Sequence, residues 1–119
     1  VFAQYGAIEA INKGDDFVKW QVERCRNGLA IVEKFIASQN RISWSKPAGA
    51  FYGFLAIEGV TDSIAFATRL LEEAKVGVAP GIAFGPSNDK RNEGFIRICF
   101  AQSPERLSEA LDRLGKAAV

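Results

Sequence analysis

Between residues 16 and 37, apolar side chains recur at alternating spacings of four and three, at Val18, Val22, Cys25, Leu29, Val32 and Ile36. That period puts them on one face of a long amphipathic helix, with Lys19, Glu23, Arg26, Glu33 and Lys34 left for the wetter sides. Asp15 and Asp16 follow Gly14 and are suited to cap its N-terminus. Ile8 and Ile11 carry helical spacing into residues 3–12, which predict a second helical stretch. The period then changes. Residues 41–46 have strand character, Pro47-Ala48-Gly49 marks a turn, and residues 51–57 form an almost wholly apolar strand, so the three together predict a hairpin. Asp62 or Ser63 opens another helix with Phe66, Leu70 and Ala74 on one side, and residues 76–79 predict a short strand. Pro80-Gly81 and Gly85-Pro86 bracket a loop that continues through Ser87-Asn88-Asp89-Lys90 to a strand over residues 95–100. Ser103-Pro104-Glu105 then starts a last helix, a cap residue followed by proline at the first helical position, with Leu107, Ala110, Leu111 and Leu114 facing the core. The order α-β-β-α-β-β-α predicts an α/β, two-layer sandwich: a long N-terminal helix and further helices packed on one small mixed sheet, in a single domain over residues 1–119.

One position breaks the pattern. In Phe95-Ile96-Arg97-Ile98-Cys99-Phe100, alternation sends Ile96, Ile98 and Phe100 to one face and Phe95, Arg97 and Cys99 to the other. A guanidinium stays charged, and burying it unpaired costs on the order of several kcal/mol, so an anion or water must meet it. An acidic neighbour, Glu58 or Glu93, is one candidate. A bound ligand is the other.

Charge and composition narrow the classes of function. Fifteen Lys and Arg stand against fourteen Asp and Glu, a net charge of +1, with no basic block; a nucleic-acid partner is not expected. No apolar run approaches the roughly 20 residues that cross a bilayer, and the N-terminus lacks the sections of a signal peptide, so the chain reads as cytoplasmic. Cys25 and Cys99 fall in different predicted elements and read as two reduced core thiols. Without histidine, no Ser-His-Asp or Cys-His couple and no histidine metal site can form from this chain. The chain begins with Val1 inside an apolar segment and contains no methionine, which points to a fragment or a processed product.

Two further stretches invite chemistry. Gly81-Ile82-Ala83-Phe84-Gly85 with Lys90 has the glycines and the lysine of a phosphate cradle, but Pro86 interrupts it and a strand follows where a cradle needs a helix N-terminus. A turn that uses glycine's torsional freedom is the better reading. Lys46, in Ser43-Trp44-Ser45-Lys46, could be a nucleophilic lysine only in a desolvated pocket, and its place before Pro47 at a hairpin mouth suggests a solvated one.

Pro47-Ala48-Gly49-Ala50-Phe51-Tyr52, Val78-Ala79-Pro80-Gly81-Ile82-Ala83-Phe84-Gly85, Gly94-Phe95-Ile96-Arg97-Ile98-Cys99-Phe100-Ala101 and Ser103-Pro104-Glu105-Arg106-Leu107 follow one another after a long helix. In that order and spacing the chain resembles the C-terminal, small domain of class I/II, fold-type I pyridoxal-phosphate aminotransferases of the aspartate aminotransferase type, over essentially its whole length. The resemblance implies an enzyme that moves an amino group between an amino acid and a 2-oxo acid, with residues 1–40 as the long interdomain helical segment. It implies that Arg97 binds the substrate α-carboxylate, with Phe51 and Tyr52 lining the cleft. The family's cofactor-holding groups belong to a large domain and none is matched here. The resemblance therefore implies that pyridoxal phosphate is bound by the full-length protein, a homodimer, mainly through that large domain, and that this chain alone is inactive. A reading from another class stays open: a stand-alone small α/β ligand-binding or interaction module without catalysis, keeping Arg97 for some other carboxylate.

Overall fold

The computed structural model describes residues 1–86 and 89–118. Ser87 and Asn88, part of the polar loop expected before the arginine strand, lie outside the described residues, as does Val119. Helices α1 (Phe2–Lys13) and α2 (Asp15–Ala37) follow each other almost without interruption. Gly14 keeps right-handed helical torsions and its N–H still reaches Ala10 O at 2.9 Å. Gly14, rather than either aspartate, is the N-cap of α2, and Asp15 and Asp16 sit in its first turn, where their charge opposes the positive end of the helix dipole.

Four strands form the sheet: β1 (Ile42–Trp44), β2 (Tyr52–Ile57), β3 (Ala79–Pro80) and β4 (Phe95–Cys99), in the order β1-β2-β4-β3. The expected α/β sandwich is present, but the sheet is antiparallel at every pairing and not mixed. The reason is the position of β4. Strands β2 and β3 run in the same direction, joined by helix α3 (Ser63–Arg69) and a π-helical turn at Leu70–Ala74, yet β4 returns between them and pairs antiparallel with both. A strand carrying Ile96 and Ile98 on its inner face gains most from the central place. The two-residue β3 contains Pro80, which lacks a ladder N–H and suits an edge. Residues 76–78, expected as part of this strand, are not strand, and Gly81–Phe84 coils into a 3-10 turn.

All helices of the sandwich lie on one sheet face. Leu55, Ile57, Ile96, Ile98 and Phe100 meet Val32 of α2, Phe66 and Leu70, and Leu107, Leu111 and Leu114 of α4 (Pro104–Ala117). Of the two cap candidates Asp62 and Ser63 it is Asp62 that caps α3, accepting from Ala65 N–H at 2.9 Å, and Ser103 caps α4 as expected, accepting from Arg106 N–H at 3.4 Å with Pro104 next. At Gly28, α2 crosses the end of β4 so closely that an added Cβ would run into Phe100 O. Only the C-terminal half of α2 uses its apolar face in this way. Val18 and Val22 are exposed, because that half of the helix projects past the sheet. Among the described residues no helix is long and apolar enough to cross a membrane.

Candidate functional site at Arg97

Arg97 lies on the sheet face opposite the buried core, a face on which only the 3-10 turn with Phe84 is seen among the described residues. Its cross-strand neighbours are Phe54 on β2 and Ala79 on β3. Alternation along β4 holds: Ile96 and Ile98 are buried, Phe95 and Arg97 half-buried, and Cys99 exposed. Cys99 is therefore not the core thiol expected of it, since it shares Arg97's open face; Cys25 packs half-buried against the core.

The described residues supply no anion to Arg97. Among the described residues, no carboxylate forms a salt bridge with Arg97. Glu93 is engaged elsewhere: its Oε2 accepts from the backbone N–H of Ser63 at 3.0 Å and from the Ser63 hydroxyl at 3.2 Å. Glu58 is exposed at the far end of β2, where its carbonyl accepts from Arg41 at 3.1 Å. Nearby Arg91 is the contrasting case. Asp89 takes its guanidinium in hydrogen bonds of 2.8 and 3.0 Å from Nε, and that contact holds the Asp89 carboxyl below its usual range. Among the described residues Arg91 has a carboxylate partner and Arg97 has none.

Aromatic rings hold Arg97 instead. Its Cζ lies 4.2 Å from the centroid of Tyr52 and 4.2 Å from that of Phe84. Phe84 stands edge-on to Phe54 at 6.0 Å, and Phe54 stacks on Phe95 at 4.9 Å with planes 8° apart. A guanidinium flanked by π-faces is bound over its flat surfaces and keeps its in-plane donors free. That is the state in which a carboxylate can be taken by two parallel N–H bonds. Tyr52 is thus brought to Arg97. Phe51 joins through Tyr52, ring centroids 4.5 Å apart, and sits at the rim of an apolar groove of about 470 Å³ between α2 and residues 47–51. Ala50, just before this pair, has a φ of +59°, a torsion that alanine tolerates poorly and that turns the chain into β2.

Phe84 is the residue that the sequence does not mark. Its signal was present in the glycine-bracketed segment, but only the fold brings that turn beside β4. The same segment is no phosphate cradle: a Cβ at Gly81 would strike the carbonyl oxygens of Asn92 and Phe95, acceptors that repel an anion. Lys46 is no nucleophile in a dry pocket either. Its Nζ lies 2.8 Å from both carboxylate oxygens of Glu33, with about half of each side chain in solvent.

Comparison with known proteins bears on what this arrangement serves. A family model described as aminotransferase class I and II matches residues 2–114. The aspartate aminotransferase of Thermotoga maritima is 38% identical over 112 residues, covering 94% of this chain and 26% of that protein. That of Pyrococcus horikoshii is 37% identical over 119 residues, covering 98% and 29%. The solved alanine aminotransferase from Pyrococcus furiosus superposes with a TM-score of 0.83 at 30% identity, over 98% of this chain and 29% of that one. The chain spans less than a third of the length of these relatives. A match that runs nearly end to end in sequence, carried by the same fold, makes this chain a member of the class I and II aminotransferases.

Proposed function

We propose that this chain is the C-terminal domain of a pyridoxal-phosphate-dependent aminotransferase, transferring an amino group between an amino acid and a 2-oxo acid, and that Arg97 binds the substrate's α-carboxylate. The observation that carries this reading is a half-buried arginine on the sheet face opposite the core, held by two rings and met by no carboxylate among the described residues. Arg97 would fix the carboxylate through its planar fork and so orient the Cα substituents. Phe51 and Tyr52 would close the cleft on this side. The described residues do not themselves fit the cofactor: Lys46 is tied to Glu33 at the surface, and Gly81 faces carbonyl oxygens. Pyridoxal phosphate is therefore assigned to the large domain of a full-length homodimer. The names of the relatives make aspartate the amino donor to assay first.

Arg97→Lys in the full-length enzyme keeps the charge and loses the fork. The expected result is a fall in kcat/KM of at least about tenfold for acidic and neutral amino acids alike, equivalent to about 1.4 kcal/mol of transition-state binding. The melting temperature should barely move, because water satisfies the site when substrate leaves. A lowered melting temperature with unchanged activity per folded molecule would remove Arg97 from the substrate site.

A further inference from the structure

Arg97 lies near two rings, and they reach it from opposite flanks of its strand. Tyr52 is on β2, and Phe84 ends the 3-10 turn that leaves β3; β2 and β3 are the two neighbours of β4. The guanidinium carbon thereby has a ring centroid 4.2 Å away on either flank. Phe84 has no part in the buried core, and 40% of its surface stays exposed. Its remaining surface is covered by neighbours that include Phe54 and the Arg97 guanidinium, so the ring packs on both.

The turn that presents Phe84 is anchored from several directions. Ile82 N–H donates to the buried Ser63 hydroxyl at 3.2 Å, and Asn92 Nδ2 donates to Phe84 O at 3.3 Å. Gly81 sits directly against the backbone of Asn92 and Phe95, an approach that no other residue type permits. On its far side the ring rests edge-on against Phe54, itself stacked on Phe95. Phe84 is thus a fixed wall for Arg97.

We propose that Phe84 is a positioning residue for carboxylate binding: its ring holds the Arg97 guanidinium in the orientation that presents its in-plane N–H fork to the substrate. This rests on the reading of Arg97 as the α-carboxylate site. Every amino-acid substrate carries that carboxylate, so loss of the ring must weaken all of them by one factor. Arg97 itself stays in place to orient the bound substrate, and the carboxylate takes no part in bond making, so loss of the ring falls on ground state and transition state alike and shows in KM rather than kcat.

The test compares Phe84→Leu, Phe84→Tyr and Arg97→Lys in the full-length enzyme, with aspartate, alanine and phenylalanine as donors to those of the three that the parent enzyme accepts. Phe84→Leu is expected to raise KM about 3- to 30-fold, the span of a cation–π contact from exposed to desolvated. The factor should be the same for each donor, with kcat within about twofold of the parent. Phe84→Tyr keeps the π-face and should restore KM to within about twofold of the parent. Thermal melting checks that each variant is folded, and Phe84→Met replaces the leucine variant should that one fail to fold. An unchanged KM in folded Phe84→Leu, or a change that differs from donor to donor, overturns the proposal; the second result would make Phe84 a side-chain contact. If Arg97→Lys raises KM while Phe84→Leu does not, the positioning role alone fails. If Arg97→Lys leaves kcat/KM intact, the carboxylate site fails and Phe84's role falls with it.

Discussion

Ser63 is fully buried, and its N–H and hydroxyl both have partners in another part of the chain. Its hydroxyl donates to Glu93 and accepts from Ile82 N–H, and its own N–H meets the same carboxylate, so one side chain ties the start of α3 to the loop before β4 and to the turn bearing Phe84. The carboxylate that might have neutralised Arg97 is used here instead. Ser63→Ala leaves the Ile82 N–H without its acceptor in a dry site and removes one of two bonds to Glu93. The expected cost is about 1–3 kcal/mol, read from urea unfolding of the full-length protein. A second consequence should appear in the assay, a higher KM for the amino donor as the Phe84 turn loosens. Unchanged stability would mean that water or Ser63's neighbours replace both bonds.

At the scale of elements, the crossing of α2 over β4 sets how the sandwich closes. Gly28 is one of two buried residues in a helix of 23, and its missing side chain lets the helix backbone rest on Phe100 O. Elsewhere on an exposed helix, glycine to alanine would stabilise by about 1 kcal/mol through propensity. Here the sign reverses, since an added Cβ can be accommodated only by moving α2 off the sheet, and overpacking of this kind costs about 1–3 kcal/mol. Gly28→Ala should therefore lower the melting temperature of the full-length protein. A raised one would show that the helix can slide without loss. The antiparallel insertion of β4 belongs to this scale too. It puts the arginine strand between two partners, and only there can rings arrive from both flanks.

For the whole molecule the helical arm dominates. The Cα radius of gyration is 16.8 Å, against about 13.5 Å for a compact chain of this length, and the longest dimension reaches 49 Å. Phe2, Tyr5, Ile8 and Ile11 on α1 are exposed, as are Phe17, Val18 and Trp20 on α2, with Phe2 at 90% and Ile11 at 80%. A continuous apolar face of this kind is ordinarily covered by a partner surface; the proposed large domain is its natural cover. The 119-residue chain by itself should accordingly self-associate as its concentration rises, and Ile11→Glu with Phe17→Glu should shift it to monomer in sedimentation velocity. A strictly monomeric parent chain would count against this face as one that needs covering.

Period and punctuation by themselves determined the helices, the cap at Ser103, the hairpin of β1 and β2, and the parity that turns Arg97 away from Ile96 and Ile98. These are properties of neighbours within a turn or two, set by side-chain spacing and local hydrogen bonds. Periodicity could not tell that the apolar stripe of α2 is half unused, because it records which side chains share a face and not how far the sheet beneath extends. Nor could it tell that β4 enters between β2 and β3, or that Cys99 is exposed. Arg97's surroundings were the least legible. Glu93 was as near in sequence as any carboxylate, and Phe84 stood thirteen residues away in a glycine-bracketed turn that gave no sign of closing on Arg97. Long-range packing assigned the acid to Ser63 and the ring to Arg97, since a buried hydroxyl and backbone N–H at the start of α3 offered Glu93 its donors, while the turn after β3 could close only onto the open face of β4.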